Sequence, residues 1–234
     1  MLKSLARELV FGAKANPRTY IERLKEMGVV IGEDVSIYVP TKTLIDESYP
    51  WMLTIGDHVR IAQGVTILTH DYSWSVLKQV EGEILGASGR VTIGNNVFIG
   101  MHATILRGVT IGDNVIIGSG AVVTKDCEAD GVYAGNPARR IAELDDFLKK
   151  RRLAQVDEAR ELAVAYFERY HRRPPEDVFH EYFMIFLSKE EMLKRPWCVA
   201  KMKLGGNEQK SLLFAERFER PFRDYQDFMK YCFG

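Results

Sequence analysis

Residues 91–126 have the sequence VTIGNN VFIGMH ATILRG VTIGDN VIIGSG AVVTKD, which is six consecutive hexads in a single frame. Glycine follows the third position in four of these hexads, and a small or β-branched residue opens each one. The same frame occurs earlier in the chain, with a fragment of it at residues 31–35. The chain therefore contains an internal repeat of six residues. Its aliphatic third positions are Ile55, Ile61, Ile67, Ile93, Ile99, Ile105, Ile111, Ile117 and Val123.

A period of six matches neither the α-helix, which repeats every 3.6 residues, nor the β-strand, which alternates every two. It matches a short strand followed by a corner. The aliphatic side chain points inward and stacks on its equivalent in the next coil, while Gly, Asn and Asp at the corners tolerate positive φ. One coil cannot bury its apolar side chains alone, so stacked repeats supply the core. The pattern predicts a mainly β protein built as a parallel β-helix.

The repeat and the residues after it resemble the hexapeptide-repeat acetyltransferases. Within that family the resemblance is closest to the maltose and galactoside acetyltransferases and to the O-acetyltransferases of capsule and lipopolysaccharide synthesis. It rests on residues 91–126 and on Gly135-Asn136-Pro137-Ala138, and it covers residues 29–142. It implies a left-handed β-helix with three hexads per coil, and a homotrimer whose active sites lie between subunits. It also implies acetyl-coenzyme A as the acyl donor.

Three segments are expected around this repeat. Residues 1–28 have helical periodicity, with Leu5 among the apolar positions and a break at Asn16-Pro17. Residues 29–142 form the β-helix domain, whose frame is interrupted between Ile67 and Ile93 by an excursion loop at about 68–90. Residues 143–234 form a C-terminal α-helical module with one helix expected at 176–187, and 15 of the 25 aromatic residues lie in residues 160–234. These rings fill a small helical core or contact an acceptor.

The composition excludes several classes of protein. Lys+Arg and Asp+Glu both number 32, so the formal net charge of zero gives no global field that would favour nucleic acid or an anionic membrane. No apolar run approaches the roughly 18 residues of a membrane span. The N-terminus lacks the apolar stretch of a signal peptide, so a cytoplasmic location is expected. Cys127, Cys198 and Cys232 form no CxxC pair, and we expect no metal.

Acetyl transfer from a thioester to an alcohol needs a base, because the hydroxyl is a poor nucleophile until it loses its proton. A histidine is the natural base, since its unperturbed pKa lies near neutral pH. His70 lies in the excursion loop, and loops that project from a rigid scaffold often carry catalytic residues. It also matches by position the catalytic histidine of the enzymes that this sequence resembles. His102, on the coil surface, is a possible supporting residue. Asp71 orients His70 if the chain turns there.

The resemblance also implies the binding residues. Asp46 and Glu47 fall where the family carries an acidic acceptor contact, and Tyr72 and Trp74 shape the acceptor side of the loop or simply pack it. Lys125 and Arg139 are cations suited to the coenzyme phosphates. Arg140 is a candidate for a second basic contact, because Ala142 stands where the family often has a cation. The coenzyme contacts are Met101, Ser119, Thr124, Lys125 and Arg139.

These features predict an O-acetyltransferase that moves acetyl from acetyl-coenzyme A to a hydroxyl of a sugar or surface-polysaccharide precursor. A non-sugar acceptor, such as serine or an antibiotic, and a non-enzymatic β-helix scaffold are the alternatives. A γ-class carbonic anhydrase shares the fold but needs two zinc-binding histidines close in sequence. His58, His70 and His102 are spaced by 12 and 32 residues, which argues against that zinc enzyme.

Overall fold

The computed structural model describes residues 9–234, so Leu5 lies outside the described residues. The chain divides into two compact units, Met1–Phe147 and Leu148–Gly234. The first unit carries all sixteen strands of residues 9–234, and most of them are short because each hexad supplies only two or three extended residues before a corner. The strands are β1 (Val30–Ile31), β2 (Ser36–Ile37), β3 (Leu44–Ile45), β4 (Leu53–Ile55), β5 (Arg60–Ile61), β6 (Thr66–Ile67), β7 (His70–Asp71), β8 (Ala87–Ser88), β9 (Val91–Ile93), β10 (Phe98–Ile99), β11 (Thr104–Ile105), β12 (Thr110–Ile111), β13 (Ile116–Ile117), β14 (Val122–Val123), β15 (Gly131–Ala134) and β16 (Arg139–Glu143).

The coil strands form three sheets, and successive strands pass from one sheet to the next. The strand orders are β1-β4-β9-β12, β16-β15-β13-β10-β5-β2 and β14-β11-β6-β3. All pairings within these sheets are parallel except that of β15 with β16, which is antiparallel. This winding is the β-helix that the hexads predict.

The register shows where the coils are regular and where the chain leaves them. From β9 to β14 partners are 18 residues apart, as in Thr92 with Thr110, so three hexads complete one coil. Between β4 and β9 the offset is 38, as in Thr54 with Thr92, which places 20 extra residues in the excursion. The first coil is also enlarged, because ten residues separate Ile45 from Ile55 where a hexad would use six. The segment 46–52 is therefore an extended loop, called here the Asp46 loop.

The interior of the coil is a column of aliphatic side chains. Ile61, Ile99 and Ile117 are fully buried and stack in one sheet, since β5, β10 and β13 pair at these residues. Each buried isoleucine stabilises the fold by about 1.5–3 kcal/mol. At one corner Asn96 and Asn114 adopt left-handed backbone and their side chains hydrogen-bond at 2.8 Å. The buried aliphatic column and the hydrogen-bonded corner asparagines together make the coil a rigid scaffold.

The N-terminal segment closes one end of the coil. A 3₁₀ turn (Gly12–Ala15) precedes helix α1 (Pro17–Met27). Asn16 caps α1 by accepting a hydrogen bond from the Arg18 amide at 2.8 Å, and Gly28 ends it in left-handed conformation. Tyr20 and Leu24 on its inner face are fully buried in the same core as the coil isoleucines.

The excursion is an ordered hairpin with a helix in it. Strand β7 pairs antiparallel with β8, His70 opposite Ser88, and helix α2 (Trp74–Glu81) lies between them in sequence. The chain returns to the coil through Gly89, whose amide donates to the Thr69 carbonyl at 2.9 Å. A Cβ at Gly89 would lie 2.6 Å from the Gly108 amide nitrogen, so only glycine fits this return.

The second unit is helical. Its core joins Phe179, Phe186 and Phe228, each fully buried, with ring centroids 5.2–6.0 Å apart. Two short 3₁₀ turns (Glu176–Phe179 and Phe183–Ile185) replace the single helix expected at 176–187. The division between the units, at Phe147 and Leu148, falls near the start of the long helix Leu144–Tyr170. The remaining helices are α3 (Leu144–Tyr170), α4 (Lys189–Leu193), α5 (Pro196–Lys203), α6 (Glu208–Arg217) and α7 (Tyr225–Phe233).

Candidate active site

His70 is the first residue of β7, at the point where the chain leaves the coil. The coil strand β6 ends three residues earlier at Ile67, and Thr69 between them is fully buried. The Thr69 carbonyl is held by Gly89, so both ends of the excursion are tied together beneath the histidine. About a third of the His70 side chain is exposed. One side of the ring therefore meets the protein while the rest remains accessible.

The Nδ1 atom of His70 lies 2.5 Å from Oδ2 of Asp46. Asp46 is almost fully buried, with 5% of its side chain exposed. The two residues are 24 positions apart in sequence, and β3 and β6 bring them together because Ile45 pairs with Ile67 in register. Asp46 and His70 thus leave the same sheet on adjacent coils and meet just past its edge.

The Asp46 carboxylate is saturated with hydrogen-bond donors. Its Oδ2 accepts from the Thr69 hydroxyl at 2.6 Å and from the Thr69 amide at 3.0 Å, while Oδ1 accepts from the Ser48 amide at 2.9 Å. Burial acts to raise the pKa of Asp46, but the bonds from Thr69, Ser48 and His70 outweigh it and hold that pKa well below its usual range. Asp46 is therefore an ionised carboxylate fixed against the imidazole.

Asp71 does not occupy the position that the sequence suggested for it. Its Oδ2 accepts from the Arg107 Nε at 2.6 Å and its Oδ1 from the Ser73 amide at 3.0 Å. Successive side chains of a strand point to opposite sides, so Asp71 faces away from the ring of His70 in β7. Bonds from Ser73 and Arg107 lower the pKa of Asp71. The expected orienting role of Asp71 is corrected, since the carboxylate on the ring is that of Asp46.

Glu47 is held from the side of helix α1. Its Oε1 accepts from the Tyr20 hydroxyl at 3.1 Å, and its Oε2 lies 3.6 Å from Arg23. Burial, together with the Glu47 charge and hydrogen bond, raises the pKa of Tyr20, which keeps the phenol a donor. Glu47 anchors the Asp46 loop to α1, and this contact differs from the acceptor contact expected for it.

Two aromatic residues of the Asp46 loop extend outward from one side of the histidine. The Tyr49 ring meets the His70 ring edge-on, with centroids 5.2 Å apart and an interplanar angle of 73°. Trp51 lies 5.7 Å beyond Tyr49, centroid to centroid. The hexad pattern does not predict this pair, because it cannot place residues in a loop that is longer than one hexad. Tyr72 and Trp74, which sequence analysis did select, contact each other at 4.6 Å in the excursion.

His102 sits at a coil corner in left-handed conformation. Its ring lies over Gly64 so closely that a Cβ there would be 2.3 Å from His102 Nδ1. Its amide donates to the Gln63 carbonyl at 3.1 Å. Within residues 9–234 no hydrogen bond or ring contact joins His102 to His70, so the structure brings only Asp46 and Tyr49 to the ring of the candidate base.

The residues expected to bind coenzyme fall in two places on the coil. Met101 and Ser119 occupy stacked corners, where the Gly120 amide donates to the Met101 carbonyl at 2.8 Å. Both side chains are exposed, as is that of Thr124. Lys125 and Arg139 line one depression of about 290 Å³ together with Tyr133. The two cations therefore face the same surface.

The basic residues of this depression differ in their availability. Lys125 and Arg139 form no ion pair with an acid of residues 9–234, and the Arg139 guanidinium donates only to the Ala138 carbonyl at 2.8 Å. Arg140 is engaged instead, with Glu143 at 2.5 Å and Glu128 at 3.3 Å. Arg140 thus braces the β15–β16 hairpin and is not free to replace the cation missing at Ala142.

Cys127 also lines this depression. It is nearly fully buried, and burial, with the nearby Asp126 charge, raises the pKa of its thiol to about 11. A neutral thiol is a poor nucleophile. In residues 9–234, no cluster of three or more His, Cys, Asp or Glu side chains could hold a metal ion, and no helix has the length and apolar character of a membrane span.

Comparison with known proteins gives matches centred on the coil. The family described as "Bacterial transferase hexapeptide (six repeats)" matches residues 90–125. Protein CapG of Staphylococcus aureus is 39% identical over 129 residues, which cover 55% of this chain and 74% of CapG. Galactoside O-acetyltransferase of Escherichia coli (strain K12) is 44% identical over 104 residues, which cover 44% of this chain and 49% of that enzyme.

Among solved structures, galactoside acetyltransferase in complex with coenzyme A has 31% sequence identity and a TM-score of 0.45, with 63% of this chain and 82% of that chain covered. The match to CapG extends over most of that protein, whereas the chain spans about half the length of the galactoside O-acetyltransferase.

Proposed function

The chain belongs to the hexapeptide-repeat transferases and is an acetyltransferase of that family, and from this premise we propose that it moves acetyl from acetyl-coenzyme A to a sugar hydroxyl. The observation that carries the proposal is the pairing of the His70 ring with the buried carboxylate of Asp46. A sugar is proposed as the acceptor because one relative is named a galactoside O-acetyltransferase.

The pairing of His70 with Asp46 supports a general base. An ionised carboxylate is only an acceptor, so the short contact assigns the proton to His70 Nδ1. In the neutral ring the other nitrogen, Nε2, then carries the lone pair. A third of the side chain is exposed, so Nε2 is available to an acceptor hydroxyl. Asp46 acts as a positioning residue that fixes the tautomer and stabilises the imidazolium formed during reaction.

The reaction is a direct attack on the thioester. His70 Nε2 takes the proton of the acceptor hydroxyl as its oxygen bonds to the acetyl carbonyl carbon. The carbon–sulfur bond then breaks, and the imidazolium returns the proton to the leaving thiolate of coenzyme A. The high pKa of Cys127 speaks against that residue as an acyl carrier. The products are an acetyl ester and free coenzyme A.

Coenzyme A is a polyanion with a long pantetheine arm. Lys125 and Arg139, free of ion pairs with acids of the described chain and facing one depression, suit its phosphates. The exposed corners at Met101 and Ser119, with Thr124, suit the arm. We infer that these five residues line the donor groove of a left-handed coil, and that the groove is completed by a neighbouring subunit of a homotrimer.

The test is a thiol-release assay with acetyl-coenzyme A and a panel of acceptors. The panel contains methyl pyranosides, nucleotide sugars, serine and an aminoglycoside, and a reaction without acceptor measures hydrolysis. We expect release above the hydrolysis rate with at least one sugar, and mass spectrometry of that sugar should show one added acetyl group. Transfer to serine or the aminoglycoside alone would refute the sugar acceptor. No release with any acceptor would refute the activity proposed here.

A further inference from the structure

The Asp46 loop presents two aromatic rings to solvent beside the candidate base. Trp51 is 67% exposed and Tyr49 is 37% exposed, whereas Tyr20 in the same unit is fully buried. Tyr49 bridges His70 and Trp51, with centroid distances of 5.2 and 5.7 Å. Large exposed aromatic side chains grouped on one surface mark an interaction site more often than a packing need.

The loop holds these rings in place without burying them. Asp46 at its start is fixed by Thr69 and Ser48, and Glu47 by Tyr20. Pro50 is buried and opens the 3₁₀ turn Pro50–Met52, which leads directly into β4. The backbone on both sides of Tyr49 and Trp51 is therefore anchored, so binding at their faces would cost little further ordering of the chain.

We propose that Tyr49 and Trp51 form the acceptor wall and that the acceptor is a pyranose ring whose C–H face rests on it. This inference depends on the proposed function for its acceptor hydroxyl. A pyranose has an apolar C–H face beside polar edges, and aromatic rings supply large apolar area with defined geometry. An acyclic acceptor such as serine has no such face. Contact of Tyr49 with the His70 ring puts the wall beside the proposed base.

The wall has one rival occupant, a second copy of this chain. The contact of Tyr49 with His70 favours the acceptor over a second copy of the chain as the occupant. A subunit packed on Trp51 and Tyr49 would also cover the exposed part of the His70 ring that the reaction needs. The experiment therefore measures ligand binding and assembly together.

Binding is measured by saturation-transfer NMR with methyl β-D-galactopyranoside, methyl α-D-glucopyranoside and methyl N-acetyl-β-D-glucosaminide, in the absence of acetyl-coenzyme A. At least one should bind wild-type protein, with affinity about twofold to tenfold lower in Trp51→Ala, the range expected for one aromatic contact. Trp51→Phe should recover most of it. Tyr170→Ala, which removes a 58% exposed ring paired with Tyr166 at 4.6 Å, should bind like wild type.

Three results would refute the proposed acceptor wall. They are no pyranoside binding to wild-type protein, the same pyranoside affinity in Trp51→Ala as in wild type, or loss of assembly in Trp51→Ala with pyranoside binding unchanged. The proposal is supported if saturation transfer reaches the C–H protons of the pyranoside ring in wild-type protein and is lost in Trp51→Ala. A pyranoside that binds through Trp51 but is never acetylated would refute the proposed function and leave the wall standing, so the two failures are distinguishable.

Discussion

One ring nitrogen of His70, Nδ1, is committed to Asp46, and within residues 9–234 no hydrogen bond engages the other ring nitrogen. The commitment is strong because Asp46 is buried, ionised and supplied with donors at both oxygens. Such a carboxylate cannot rotate away from the ring without leaving a buried charge unpaired, which is costly. The contact with Asp46 therefore favours the ring orientation in which Nδ1 faces the carboxylate.

The first prediction separates the two histidines of the coil and its excursion. His70→Ala should lower kcat by roughly 10²–10⁴-fold, the usual contribution of positioned proton transfer. His102→Ala should cost about tenfold or less, since that ring packs on Gly64 and acts only through the shape of the surface. Steady-state kinetics with a saturating donor measures both. Near wild-type kcat in His70→Ala with an inactive His102→Ala would reverse the assignment.

The second prediction compares the two carboxylates. Asp46→Asn should reduce kcat by on the order of 10²-fold or more, because an amide no longer fixes the reactive tautomer. Asp71→Asn should change kcat little, since its partners are Arg107 and Ser73. Coenzyme KM should stay constant in both variants. Equal losses in the two variants would show that the pair with His70 does not act in catalysis.

Asp46 also gives a pH signature in stability. Its folded-state pKa lies below the unfolded value, so the ionised form contributes stability that is complete above about pH 4 and declines as pH falls through the folded pKa. The Tm difference between wild type and Asp46→Asn should thus be constant from about pH 8 to pH 5 and shrink below about pH 4. A difference that grows on acidification would contradict an ionised Asp46.

At the scale of elements, the hexads determine the coil but not its loops. Residues 91–126 predict six strands and their burial, because every aliphatic third position has one inward direction. The Asp46 loop has no such frame, and the meeting of Asp46 with His70 depends on the pairing of β3 with β6 across an enlarged coil. A single sequence contains no periodic signal for that pairing. For this reason Tyr49 and the role of Asp46 were not predictable.

In segment 176–187 the sequence pattern predicted a regular helix that the structure does not form. The apolar residues of this segment are nearly consecutive, and Phe183, Ile185, Phe186 and Leu187 are all buried. One face of an α-helix covers positions three and four apart, so a regular helix would expose part of this run. The second 3₁₀ turn and the two residues after it instead bury all four of these side chains. Helical composition predicted helix here, and packing of consecutive apolar residues overrode it.

A further prediction concerns the β15–β16 hairpin, which carries Arg139. Arg139→Ala should raise the KM for acetyl-coenzyme A severalfold to tenfold, with kcat nearly unchanged, because a contact remote from the thioester contributes equally in ground and transition states. Arg140→Ala is the matched comparison. It should lower Tm instead, since Arg140 holds Glu128 and Glu143 together. A collapse of kcat with constant KM in Arg139→Ala would exclude the phosphate role.

At the scale of the whole molecule, each unit has its own core. The coil core runs from Tyr20 to Tyr133, and the helical core is built on Phe179, Phe186 and Phe228. We therefore predict that a chain ending at Phe147 folds and keeps kcat within about threefold of wild type, because a domain with its own core can fold alone. Thermal unfolding verifies the fold and thiol release measures kcat. A folded but inactive truncation would show that residues 148–234 help to build the site.

The last prediction is that the coil assembles as a trimer with shared sites. Outward strand positions expose apolar side chains on all three coil sheets, including Val30, Leu44 and Phe98, and packing these faces against neighbouring subunits would remove that apolar area from water. Light scattering should give three times the 26.7 kDa of one chain. With acetyl-coenzyme A held well below the KM of the cation variant, mixing subunits of His70→Ala with subunits of Lys125→Ala/Arg139→Ala should restore activity, because about a quarter of the sites between neighbours would then combine intact halves. Each variant alone stays impaired, so recovery requires that the base and the cations come from different chains. An active monomer, or mixed subunits no better than their average, would contradict the shared site.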